Sequence, residues 1–64
     1  MRVIEAEVSA LTIQLSPDEA TALTNALNEV CNGPDALEEW EFQARVGVLR
    51  SEAAALLAAL SAVL

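Results

Sequence analysis

Val3-Ile4-Glu5-Ala6-Glu7-Val8-Ser9-Ala10-Leu11-Thr12-Ile13-Gln14-Leu15 is the stretch on which the fold class turns. Ile4, Ala6 and Val8 share one parity, Leu11, Ile13 and Leu15 the other, and Glu5, Glu7, Thr12 and Gln14 face away. Alternation of period two, rich in β-branched residues, is the mark of a half-buried strand. The change of parity at Ser9-Ala10 demands an extra residue, supplied by a β-bulge in one long strand or by a tight turn between two short ones. Two-residue hairpin turns want Gly, Asn or Asp, and none stands there, so the bulged strand is the favoured reading. A lone strand leaves its backbone groups unpaired, and its simplest partner is the same strand of a second chain.

The residues that follow spell the start of a helix. Ser16 suits the N-cap, Pro17 the first helical position, and Glu19 closes a capping box three residues after Ser16. Ala20, Leu23, Leu27 and Val30 then form one apolar stripe, flanked by Ala26. Asn32-Gly33 offers a left-handed C-cap and Pro34 forbids continuation, so the first helix should end near Cys31. A second helical segment is expected to open at Pro34-Asp35 and to run through Leu37, Trp40, Phe42, Ala44 and Val46. Gly47 divides two readings. It can cap that helix before a third begins near Leu49, which stands where a Ser or Thr cap is expected. Alternatively the helix continues, because Phe42, Val46, Leu49, Ala53, Leu56, Leu60 and Val63 hold heptad spacing across it. The break is the favoured reading. Over residues 53–64 eleven of twelve residues are apolar, yet at 1.5 Å per residue the run reaches only about 18 Å, too short to span a bilayer and suited to a buried or interface helix. Leu57 and Leu64 widen its apolar face beyond the heptad seam.

The chain of 64 residues leaves room for one domain, residues 1–64, in the α+β class: the N-terminal strand, bulged or doubled, then two to three helices. Ten acids oppose three arginines, with no Lys and no His, for a net charge of −7. That balance opposes nucleic-acid and anionic-membrane binding, both of which require clustered cations. At 55% hydrophobic the chain is too apolar for disorder. Glu5 and Glu7 interrupt any export signal, so the cytoplasm is the expected compartment. Surface scaling gives a folded monomer of this mass about 4,000 Å², too small a body to be more than marginally stable alone. One cysteine forms no internal disulfide, and no metal or other cofactor is expected. Assembly as a homodimer is the remaining way to gain stability, with Ile13, Leu49, Leu56, Leu60 and Val63 as the expected oligomer interface.

Each constellation with possible chemistry also has a plain structural account. Asp35, Glu38, Glu39 and Glu41 crowd one stretch, as acids do in the first turn of a helix, with hard-cation binding the sharper alternative. Cys31, at the negative end of a helix dipole, is a packing residue rather than an activated thiol. Asn25, Asn28 and Asn32 recur at i, i+3 and i+7 beside Thr21 and Thr24, and three asparagines in one helix exceed what propensity favours, so this row is a candidate contact surface. Glu29 with Arg45, and Glu41 with Arg45, are candidate ion pairs. Trp40 and Phe42 cannot share a helical face, so one should fill the core and the other, ringed by glutamates, should sit near the surface as a protein contact. No nucleophile and base pair is recognisable, so no catalytic residue is assigned and the chain is read as no enzyme.

Residues 26–33 (ALNEVCNG), 41–48 (EFQARVGV) and 52–57 (EAAALL) together resemble short bacterial proteins of unassigned function, over roughly the last two thirds of the chain; Leu49 stands where that pattern would carry a small polar residue. The order strand, helix, helix is also similar to that of ribbon-helix-helix DNA-binding proteins, whose dimers pair one strand from each chain. That resemblance implies a DNA-facing strand surface of Thr12 and Gln14 or Glu5 and Glu7, with only Arg2 basic. The leading expectation is a small interaction or oligomerisation module, an acidic regulatory partner of a basic protein, and the alternative is a dimeric ribbon-helix-helix-like DNA-binding regulator.

Overall fold

The computed structural model describes residues 1–64 and gives the order β1 (Arg2–Ala6), β2 (Leu11–Gln14), α1 (Pro17–Asn32), α2 (Glu39–Val46) and α3 (Arg50–Ala62). The fold is α+β, an antiparallel hairpin followed by three helices. The N-terminal segment is thus two strands paired within the chain, not one long bulged strand. Residues 7–10 make the turn, closed by the Glu7 N–H donating to the Ala10 carbonyl at 2.8 Å. A four-residue connection does not need the Gly or Asn of a two-residue turn, which is why the parity change at Ser9-Ala10 marks a reversal of the chain. A bulge exists as well, but inside β1: Val3 pairs with Ile13 and Glu5 with Thr12, leaving Ile4 as the extra residue. With Ala6 opposite Leu11 and Arg2 opposite Gln14, one face of the hairpin carries Val3, Ala6, Leu11 and Ile13, and the other Arg2, Glu5, Thr12 and Gln14.

The capping box of α1 forms in full. Ser16 Oγ accepts from the Glu19 N–H, and Glu19 Oε1 accepts from the Ser16 N–H. At the other end, Gly33 is extended (φ −69°, ψ 165°), not left-handed. Glycine is needed there for space, because a Cβ would stand 2.5 Å from the Glu29 carbonyl oxygen. The second helix opens at Glu39, five residues later than Pro34-Asp35 suggested, with Glu38 as its N-cap. The Ala36 N–H instead turns back to the Gly33 carbonyl at 3.1 Å. Gly47 does end α2, at φ 96° in the left-handed region that glycine tolerates best. The N-cap of α3, Leu49, supplies no side-chain hydrogen bond.

Helix α3 packs on α1 and, less extensively, on α2, whereas no helix packs against either strand. The core is correspondingly small. Phe42 (1% exposed), Ala53 (2%) and Cys31 (7%) are the three buried residues, with Leu27, Val30 and Leu37 half-buried around them. Cys31 is therefore a packing residue, and the two aromatics divide as their spacing requires, Phe42 inside and Trp40 79% exposed. No helix is long and apolar enough to cross a membrane.

Candidate interaction surface

A core of three residues in a chain that is 55% hydrophobic leaves most large apolar side chains on the outside. They gather in three places. The first is the apolar face of the hairpin, where Val3, Leu11 and Ile13 are all exposed. The second is α3: Ala53, Leu57 and Leu60 take up its buried or half-buried side, and Leu49, Leu56 and Val63, seven apart, line its exposed flank. Leu60 thus lies mainly within the fold, while Ile13, Leu49, Leu56 and Val63 remain open to solvent. The third is Trp40 on α2, beside Glu38, Glu39 and Glu41 in sequence, all exposed except the half-buried Glu41.

Asn25, Asn28 and Asn32 all lie exposed on α1, and Asn32 Nδ2 donates to Asn28 Oδ1 at 3.2 Å, so two of the three satisfy each other along the helix. Thr24 is turned to its own backbone, donating to the Ala20 carbonyl at 2.8 Å. The pairs of Arg45 with Glu29 and with Glu41 do not form. The two ion pairs present join the Met1 amino group to Glu19 and Arg50 to Glu39.

Arg50 is the residue that sequence reasoning missed. Its Nη1 donates to the Cys31 carbonyl at 2.7 Å, Nη2 to the Leu37 carbonyl and Nε to Glu39, and its guanidinium lies 4.6 Å from the centre of the Phe42 ring. One side chain from the start of α3 thus ties the last turn of α1, the connection after it and the first turn of α2. The only signal for it is that Arg50 begins a helix, where a cation is disfavoured by the dipole unless something else holds it.

Electrostatics is most perturbed at the N-terminal end. The amino group of Met1 and the Ser16 N–H both bond to the Glu19 carboxylate and bring it down to about 2. The Glu5 carboxyl is raised by its hydrogen bond to Glu7, with lost hydration adding to the effect. The surface has no pocket, and no three His, Cys, Asp or Glu side chains converge as a metal site would require. No family, curated protein or solved structure matches the chain. What the arrangement offers is exposed apolar surface, an exposed tryptophan and excess negative charge, which together suit contact with other proteins.

Proposed function

We propose that this chain is a small protein-interaction module that associates with itself as a homodimer and presents its acidic surface to a basic protein partner. The observation supporting this reading is the mismatch between composition and burial: 55% of residues are hydrophobic, three are buried, and the exposed ones include Leu11, Ile13, Leu56 and Val63. Exposed apolar patches of this kind in a soluble chain mark interfaces. The charge of −7 would steer a cationic partner toward it, and Trp40 sits where such a partner would find an aromatic anchor amid carboxylates.

Light scattering after size exclusion, over a range of concentrations, tests the first half. A dimer or larger species is the expected result, and a folded monomer at every concentration overturns it. Titration with a Lys/Arg-rich peptide, followed by the fluorescence of Trp40, tests the second. Saturable quenching is expected, with a weaker affinity for Trp40→Phe when the same peptide is titrated by calorimetry, and no binding at about 20 mM salt removes the basic partner.

A further inference from the structure

The two free edges of the hairpin are not alike. The outer edge of β1 is guarded twice: Ile4 bulges out of register, and Arg2 and Glu5 place charges along the strand, with Glu7 just beyond. Bulges and charges are the devices by which proteins keep sheet edges from pairing. The edge of β2 has neither. Residues 10–15 (ALTIQL) contain no charge, no proline and no glycine, and the strand is β-branched at Thr12 and Ile13. No helix covers it. A two-stranded hairpin with an open apolar face is not a stable unit by itself, and adding strands is what stabilises it.

The area available sets the scale of the partner. The chain exposes 4914 Å², against about 4,000 Å² for a compact monomer of the same mass. The surplus is about 900 Å² per chain. Two copies burying that much would bury about 1,800 Å² together, within the roughly 1,200–2,000 Å² of a specific, stable interface.

Resting on the self-association proposed above, we infer that the occupant of this edge is a second copy of the chain, its β2 antiparallel to the first across a two-fold axis near Thr12 and Ile13, giving a four-stranded sheet in the order β1-β2-β2-β1. Pairing there sets no like charges opposite each other, since β2 carries none. It also joins the two Val3-Ala6-Leu11-Ile13 faces into one continuous apolar sheet surface and leaves the charged β1 strands as the new edges.

One cysteine added to each edge in turn, in the 64-residue chain that keeps Cys31, distinguishes the edges. With β2 at the centre, two copies of residue 12 lie within about 8 Å, whereas two copies of Ile4 are about 14 Å apart, three strand spacings. A maleimide crosslinker too short for the longer distance should join Thr12→Cys chains and not Ile4→Cys chains, with the parent chain as the control for Cys31. In parallel, Thr12→Lys should raise the dimer dissociation constant at least tenfold: the lysine faces Glu5 within its own hairpin, which keeps the hairpin paired, but two lysines meet near the axis. Crosslinking through Ile4→Cys, or a dimer that crosslinks through neither position and tolerates Thr12→Lys, overturns the pairing of β2 edges while leaving self-association intact. A parent chain that is monomeric at all concentrations overturns both.

Discussion

Arg50 gathers three oxygens that belong to residues 11, 13 and 19 positions away, and two of them are backbone carbonyls at places where helical bonding has run out. The Cys31 carbonyl lies in the last turn of α1, whose four terminal carbonyls have no partner within the helix. A guanidinium meets such a set because its donors are fixed in a planar fork, and its flat face can rest on Phe42 at the same time. Hydrogen bonds from charged donors contribute about 1.5–3 kcal/mol each when part-buried, less the cost of fixing the side chain. Arg50→Ala should therefore lower the unfolding free energy by about 3 kcal/mol, a large share of what a domain of this size holds, as read from urea denaturation. Arg50→Lys should restore less than half of the loss, because an ammonium cannot reach all three acceptors. Equal stability of Arg50→Ala and parent would mean that the fork does not hold the helices together.

Between elements, the contact that ties the hairpin to the helices is electrostatic. No helix packs on either strand, but the amino group of Met1, the residue just before β1, bonds to Glu19 in the first turn of α1. Glu19 serves the capping box and this strap with the same carboxylate, which is why its acidity lies near 2 rather than at the usual 4.5. The group's folded value is below its unfolded one, so its contribution is complete above about 4.5 and is lost as pH falls toward 2. The helical signal should weaken over that window in the parent chain, and Glu19→Gln should be less stable at neutral pH while losing that part of the acid transition. An unchanged acid profile in Glu19→Gln would exclude the strap. The start of α1 was legible because Ser16, Pro17 and Glu19 act over three residues, and the stop at Gly47 because a left-handed cap has one favoured residue. The hairpin was legible only as the less favoured alternative to a bulged strand, since Glu7-Val8-Ser9-Ala10 holds no Gly, Asn, Asp or Pro and Ser9 alone is a weak turn former. The late start of α2 was obscured by Pro34-Asp35, a good helix opening that the chain spends on a turn back to Gly33. On the surface, the exposure of Ile13, Leu49, Leu56 and Val63 follows from there being more apolar residues than one small core can hold, whereas Arg50 binds by tertiary placement that no spacing encodes.

At the scale of the whole molecule the two proposed contacts are opposed in their electrostatics, and that opposition separates them. Each chain carries −7, so two copies approach against mutual repulsion even though the β2 edge itself is uncharged. Salt shortens the screening length from about 30 Å at 0.01 M to about 3 Å at 1 M, which removes most of the repulsion between exposed carboxylates and leaves strand pairing and apolar burial untouched. Dimer affinity should therefore rise severalfold between about 20 mM and 500 mM NaCl, as measured by sedimentation equilibrium. A cationic peptide bound through the acids around Trp40 should respond in the reverse direction, its affinity falling over the same range as the attraction is screened. If both affinities fall with salt, the contact between copies relies on ion pairs and the uncharged β2 edge is not its centre. If both rise, the peptide is held by apolar contact and the acidic surface does not select the partner. Opposite slopes place self-association on the apolar strands and partner binding on the acid face, two surfaces that a chain of 64 residues can present at once because its core occupies so little of it.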